Sequence, residues 1–424
     1  MRIFADLHIH SKHSRAVSPD MDLEHIDRWA KIKGIGLMGT GDFTHPQWFA
    51  SLRGELQEDG TGVLHLKTDP NGTGFILSSE ISCIYTRGGK GRRIHIIVLA
   101  PDLQTVEKIQ NRLAAIGNLR SDGRPIIGLD AEELAKIVLD VNPRNMIIPA
   151  HAWTPWFSLF GSMSGFDSVE QCFGSMAKHI YAIETGLSSD PAMNWRLSQL
   201  DRISITSYSD AHSPKPNKMG REATELEIEK LTYDAVTEAL KSQSVIADGQ
   251  TPSNRIASTV EFFPEEGKYH WDGHRDHNIR WSPAETKKNK GLCPVCGRRV
   301  TVGVEYRVEQ LADRPEGYQP TNRPPFHSLI PLEEIIAEAY GVKAGTKKAG
   351  ETYLRLTKTV SELDLLLTYD RSQLAAFAEP LVVEGIERVR QKKIEILPGY
   401  DGVYGTIKIF NDRDRETIGQ ASLF

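Results

Sequence analysis

The chain has 424 residues, 39% of them hydrophobic and 25% charged, with a formal net charge of −5. That length exceeds one ordinary domain and suits two or three, and the composition is that of a globular chain rather than a disordered one. The net charge excludes a protein that coats nucleic acid through bulk positive charge, although local Lys/Arg clusters can still face phosphates.

In chain order, short apolar runs alternate with amphipathic stretches over roughly the first 250 residues, the pattern of a βα-repeating fold. The predicted strands are Arg2–Ala5, Ile35–Met38, Gly74–Ser79, Ile94–Leu99, Met146–Pro149, Tyr181–Ile183 and Ile203–Ser207. The predicted helices include Leu23–Ile32, Thr105–Ile116, Ala131–Leu139 and Tyr233–Ser242, with apolar residues near helical spacing. The stretch from Pro264 to Val300 is polar and carries three histidines and a C-x-x-C; 313–327 is turn-rich; Pro331 to Lys393 reads as helical. No apolar run approaches the roughly 20 residues that cross a bilayer. Asp6 and His8 come too early for a signal peptide, and Cys83 and Cys172 are isolated rather than part of a disulfide scaffold. A cytoplasmic protein with no membrane partner is expected.

The chemistry begins at Asp6-Leu7-His8-Ile9-His10. On a strand His8 and His10 share a face, so one ion can take both imidazoles. Asp42, Glu80, His95, His151, Glu184, Asp210 and His212 then lie at or near the ends of the following strands. In a βα barrel the C-terminal strand ends converge on one rim, where active sites are built. His95, near the start of its strand, is the exception and has to point inward. Imidazole mixed with carboxylate suits Zn, Mn or Fe, and this many donors implies a cluster that Glu80 can bridge. Such a site suits hydrolysis of phosphoesters or of amides.

Asp-Leu-His-Ile-His at 6–10, Glu80, His95, His151 and Asp210-Ala211-His212 resemble the polymerase and histidinol phosphatase (PHP) superfamily. The resemblance implies an α/β fold, a distorted seven-stranded βα barrel with a trinuclear metal site. It places His8, His10, Glu80 and Asp210 on one ion, Glu80, His95 and His151 on a second, and His212 on a third. Where the superfamily reads Thr-Asp-His, this chain has Gly41-Asp42-Phe43 with His45 two residues on, so Asp42, His45 or His13 completes the third site.

Further segments are similar to one branch, the endonuclease Q family. They are Gly41 to Pro46, Pro149 to Trp156, Glu184 to Asp190, Asp272-Gly273-His274-Arg275, Cys293-Pro294-Val295-Cys296 and Leu311 to Arg314. By that resemblance the chain is a PHP-like barrel over 1–262, a small zinc-binding domain over 263–312 and a helical C-terminal domain over 313–424. The implied activity is hydrolysis of double-stranded DNA on the 5′ side of deaminated bases (uracil, hypoxanthine, xanthine) and abasic sites, with Asp210 and Glu80 catalytic. The catalytic cluster would hold Zn, Mn or Mg. A PHP-type small-molecule phosphatase and a non-catalytic DNA-binding protein are the alternatives.

Cys293 and Cys296 turn two thiolates toward one structural Zn. The family tends to carry cysteine where His277 stands, which makes His277 the third ligand; His274, then His270, are the choices for the fourth. Once DNA is the substrate, Arg87, Lys90, Arg92 and Arg93 in a glycine-rich loop can approach phosphates, and Trp153 and Trp156 can stack on a base. Both sets have structural readings as well, a solvated hairpin tip and core packing. Gln420-Ala421-Ser422-Leu423-Phe424 resembles the peptide that docks into the bacterial sliding clamp.

Overall fold

The computed structural model describes residues 1–411; Gln420 to Phe424 lie outside them. Strands follow in the order β1 (Arg2–Asp6), β2 (Ile35–Gly39), β3 (Leu56–Glu58), β4 (Leu64–Leu66), β5 (Gly74–Arg87), β6 (Lys90–Ala100), β7 (Ile126–Ile127) and β8 (Met146–Pro149). They continue with β9 (Ala182–Glu184), β10 (Ser204–Thr206), β11 (Ala223–Glu227), β12 (Arg255–Glu261), β13 (Asp272–His274), β14 (Ile279–Trp281), β15 (Phe326–Ser328), β16 (Glu395–Leu397) and β17 (Thr406–Lys408).

Eleven strands form one mixed sheet, with the path β15-β12-β11-β1-β2-β5-β4-β3 and with β6, β7 and β8 joined through β5 and β6. β1 and β2 are parallel, as are β2 and β5. β9 and β10 form a separate parallel pair. Hydrogen bonds at one end tie this pair to its neighbours: Ala152 N donates to Glu184 O (2.9 Å), and Ser207 Oγ donates to Val260 O (2.7 Å).

The strand polarity departs from the alternating pattern. The predicted strand Gly74–Ser79 runs on to Arg87 and turns at Gly88-Gly89 into β6, its antiparallel partner in register from Leu77↔Ala100 to Arg87↔Lys90. Ser78, Ser79, Glu80 and Ser82 interrupt the apolar run there, and this hides a strand that is nevertheless buried from Gly74 to Cys83. β11 and β12 also went unpredicted, because Glu225, Glu227 and Arg255 occupy their outer positions.

Helices form where caps and apolar spacing agree. In Leu23–Lys33, Asp22 caps the first turn through His25 N, Gly34 closes the last turn at φ +88°, and Leu23, Ile26 and Ala30 are buried. From Leu332 to Arg390 the chain is mainly helical, and Ile335, Ile336, Val382 and Ile386 join the same continuous apolar core as Ile26 and Ala30. Among the described residues no helix is long and apolar enough to cross a membrane.

Candidate metal centre

His8 and His10 follow β1, whose Asp6 is buried and accepts hydrogen bonds from Ser209 N and Gly220 N, both at 3.0 Å. Burial pushes the Asp6 carboxyl up to about 6. These bonds fix the first strand against the loop that carries Asp210.

Two groupings of metal-capable side chains result, one of His8, His10, Glu80 and Asp210 and one of Glu80, His95 and His151. In the first, His10 Nε2 lies 3.2 Å from Glu80 Oε2 and 3.1 Å from Asp210 Oδ1, and His8 Nε2 lies 3.6 Å from each of those oxygens. In the second, Glu80 Oε1 lies 2.6 Å from His95 Nδ1 and 3.1 Å from His151 Nε2. The two oxygens of Glu80 thus face different groupings. His8 Nε2, His10 Nε2 and Asp210 Oδ1 are buried without a hydrogen-bond partner. Orphaned donors of this kind, converging from imidazole and carboxylate, fit a divalent cation.

The reversed polarity of β6 resolves the position of His95. Because β6 runs against β5, its beginning lies at the end of the sheet where β2 and β8 finish, and His95 meets Glu80 there. Three site residues also hold left-handed backbone just past strand ends: Asp42 (φ +47°), His151 (φ +28°) and Asp210 (φ +46°). Non-glycine residues rarely adopt this conformation, and it concentrates at functional sites.

The charge balance is set by the groupings themselves. Burial alone would lower His8 and His10, but Glu184, Glu80 and Asp210 around His8, and Asp42, Asp210 and Glu80 around His10, hold both well above the usual imidazole range. Burial would raise Glu80 and Asp210, yet His95, Arg124 and His8 hold Glu80 well below the carboxylate range, and His8, His10 and His212 do the same for Asp210. Both carboxylates therefore stay ionised at neutral pH. They suit the holding of positive charge, not the donation of a proton.

Other predicted residues take different places. Asp42 sits behind His10: its Oδ1 lies 3.0 Å from His10 Nδ1, and its Oδ2 accepts from Ser11 N, Ser11 Oγ and Ser14 Oγ. Both oxygens are engaged, so Asp42 orients His10 rather than facing the two groupings. His45 is buried and stacks on His13, with ring centroids 4.6 Å apart. His212 adjoins the first grouping, its Nε2 3.5 Å from Asp210 Oδ1.

Two side chains matter more than their sequence context suggested. Glu184, fully buried, accepts from His8 Nδ1 at 2.8 Å and from His151 N at 2.6 Å, which joins the two groupings from behind. Arg124, which sequence reasoning missed, donates to Glu80 Oε2 at 3.0 Å, and that carboxylate holds its guanidinium firmly charged. It comes from the loop 121–125, where no spacing relates it to the histidines.

Away from this centre, His277 Nδ1 lies 3.4 Å from Cys293 Sγ and His274 Nε2 lies 3.8 Å from Cys296 Sγ, with the two imidazoles stacked at 4.5 Å. His274, His277 and Cys293 thus offer three converging zinc-type donors, with Cys296 beside His274. His270 stands apart beside Glu305.

The proposed DNA contacts divide. Lys90 and Arg93 are exposed on the β5–β6 hairpin. Arg87 is instead engaged by Asp130, Glu132 and the carbonyl of Cys172, and Arg92 donates to Gly165 O and stacks on Phe166. Trp153 is fully buried and donates to Asn194 Oδ1 (2.8 Å), so it is a core side chain and offers no face to a base. Trp156 is half-buried and meets Tyr269 edge-on.

Residues 331–393 match the MJ0043 C-terminal domain family. The chain is similar to the uncharacterized protein MJ0043 of Methanocaldococcus jannaschii, with 32% identity over 263 residues, or 61% of this chain; the match spans about a third (31%) of that protein. It is similar along nearly its whole length to the uncharacterized protein YqxK of Bacillus subtilis, with 30% identity over 96% of this chain and 99% of YqxK. The lesion-specific endonuclease PfuEndoQ from Pyrococcus furiosus superposes with a TM-score of 0.84 and 31% identity, over 98% of this chain and 99% of that one. Endonuclease Q in complex with a 27-mer duplex substrate bearing an abasic lesion at its active site gives the same score and identity, over 97% and 98%. A superposition this complete, at this identity, extends through the sheet, both cysteine- and histidine-bearing segments and the C-terminal helices, and the chain belongs to the endonuclease Q family of the PHP superfamily.

Proposed function

We propose that the protein is a metal-dependent DNA repair endonuclease. It hydrolyses the phosphodiester 5′ of deaminated bases (uracil, hypoxanthine, xanthine) and abasic sites in double-stranded DNA in the cytoplasm. The observation that carries this reading is Glu80, one oxygen in each of two groupings of buried imidazoles and carboxylates. Relatedness to a lesion-specific endonuclease over the whole chain supports the substrate.

His8, His10, Glu80 and Asp210 would hold one ion and Glu80, His95 and His151 another, with His212 beside a third. Zn, Mn or Mg there supplies Lewis-acid stabilisation of the transferring phosphate and a nucleophile at neutral pH. The chain's own residues do the rest. Glu184 and Asp42 orient the imidazoles, and Arg124 brings a fixed positive charge beside Glu80, where a phosphate would enter. Exposed Lys90 and Arg93 attract the backbone of the duplex.

The remaining organisation follows the same reading. A distorted βα barrel over 1–262 closes through β9 and β10, a zinc-binding domain over 263–312 is held by His274, His277, Cys293 and Cys296, and a C-terminal domain beginning at 313 is mainly helical from Leu332 to Arg390. Gln420 to Phe424 would dock on a sliding clamp.

A labelled duplex with one uracil, incubated with Mn or Mg, tests the proposal beside an Asp210→Ala variant. A nick immediately 5′ of uracil, lost in the variant, is the expected result. Intact strands across uracil, hypoxanthine and abasic substrates, with release of phosphate from a phosphomonoester, would instead mark a small-molecule phosphatase.

A further inference from the structure

Twelve large apolar side chains are exposed among the described residues, and four of them, Ile396, Leu397, Val403 and Tyr404, fall on one short hairpin. Tyr404, at 70% exposure, is the most exposed of the twelve. An aromatic ring displayed to water on a rigid mount calls for a partner.

The mount is rigid because its backbone is bonded to the segment before the cysteines. Gly399 N donates to Glu265 O (2.8 Å), Gly402 N to Lys268 O (2.8 Å) and Gly405 N to Glu266 O (3.0 Å), while Trp271 N donates to Gly399 O (2.9 Å). Arg275 N donates to Asp401 Oδ2 at 2.8 Å, which engages that carboxylate. β16 and β17 pair antiparallel beneath the tip, with Glu395 opposite Lys408.

Two paths lead from this hairpin to the metal centre. Tyr269, next to Lys268, meets the ring of Trp156 at 5.5 Å, five residues beyond His151. Gly267 packs on Leu187 and Ser188, and Gly186, just before them, packs on His151. The tip is also ringed by cations. The Lys268 ammonium lies 5.9 Å from the Tyr404 ring, Arg275 is exposed beside Gly402, and Lys408 is exposed below; the acids nearby are Glu395, Asp276 and Asp401. A nucleic acid needs both parts, a ring for the base stack and cations for the phosphates on either side of it.

We infer that the Val403–Tyr404 tip is a wedge that enters the base stack of the duplex beside the lesion and holds open the pairing there. The inference rests on the endonuclease reading and adds the element that opens the helix. Extruding a base costs stacking and pairing, and an inserted aromatic ring replaces part of that stacking. Packing through Gly267 and Tyr269 ties the mount of this ring to the His151 loop.

Single-turnover nicking by the metal-loaded enzyme tests this with two substrates, a uracil in a fully paired duplex and the same uracil in a short mismatched bubble. A 2-aminopurine beside the lesion reports unstacking. Tyr404→Ala should nick the paired duplex about tenfold more slowly than wild type and lose the fluorescence rise, yet match wild type on the bubble. Tyr404→Phe should restore both. Equal rates for Tyr404→Ala and wild type on the paired duplex would overturn the wedge, and so would equal slowing on both substrates. A wild-type enzyme that nicks neither substrate would overturn the endonuclease reading itself, and the wedge with it.

Discussion

Glu184 touches two candidate ligands without joining either grouping. One oxygen fixes the tautomer and rotation of His8 through Nδ1, and the other takes the backbone N–H of His151, which lies in strained left-handed backbone. A carboxylate placed behind an imidazole raises its basicity and orients its free nitrogen, and loss of such a partner typically costs about 10- to 100-fold in metal affinity. Glu184→Gln should therefore bind zinc about 10- to 100-fold more weakly in a chelator competition at pH 7, with little change in unfolding temperature. Unchanged affinity would show that His151 and His8 are held without it. Sequence spacing was enough to bring Glu184, His8 and Asp210 to strand ends, because hydrophobic runs mark where strands stop. It could not rank them: whether an acid faces an ion or stands behind a histidine depends on side-chain direction. Arg124 was beyond sequence reach altogether, since a loop residue reaches Glu80 only through the tertiary fold.

At the scale of elements, polarity was the part that sequence concealed. A βα repeat predicts strands of one sense, and under that rule His95 is misplaced. The β5–β6 hairpin reverses one strand, which brings the start of β6 to the end of the sheet that carries Glu80 and His151. Serines and Glu80 inside β5 read as a strand end, although the residues around them are buried. The turns that hold the site are equally specific. Gly186 has φ +56°, and a Cβ there would come 2.4 Å from the Cβ of His151. Gly186→Ala should destabilise the fold by about 1–3 kcal/mol and displace His151, seen as a lower unfolding midpoint and a smaller number of ions bound. The cysteine-bearing segment depends on a different device. β13 and β14 are short, and neither Cys296 nor the neighbouring Leu292 and Val295 is buried. With so little apolar surface to bury, the segment is one that an ion at the proposed zinc site would hold together. Cys293→Ser should lose one zinc per chain by elemental analysis and expose residues 272–300 to protease, whereas a protease-resistant variant would mean that the loops hold without metal.

Across the whole molecule, one buried ion pair joins the first helix to the C-terminal helices. Lys33 Nζ donates to Glu362 Oε1 at 3.0 Å and to Pro216 O at 2.7 Å, and the same Glu362 accepts from Leu332 N and from the Tyr353 hydroxyl. Both side chains of the pair are 1% exposed. Removing one partner strands the other charge without solvent, at a cost of about 3–5 kcal/mol, whereas replacing both with apolar residues is often near neutral. Glu362→Ala should thus lower stability toward urea by about that amount, and Lys33→Met with Glu362→Leu should recover most of it. A second buried charge question sits between β11 and β12. Burial pushes the Glu261 carboxyl up to about 8, above hydrogen bonds from Thr185, Ser207 and Thr259 that favour its ionised form, and Glu222 beside it is also raised. Between its ordinary value of 4.5 and about 8 the folded chain keeps a proton that the unfolded chain has released. Folding then takes up a proton, so this contribution to stability is present at acid pH and is lost as pH rises through that window. Glu261→Gln carries no such proton and keeps the polar partners. Its unfolding temperature, measured with the same metal present, should gain on wild type steadily from pH 5 to pH 8; parallel curves over that range would mean that Glu261 is ionised in the folded chain and that its hydroxyl partners outweigh its burial.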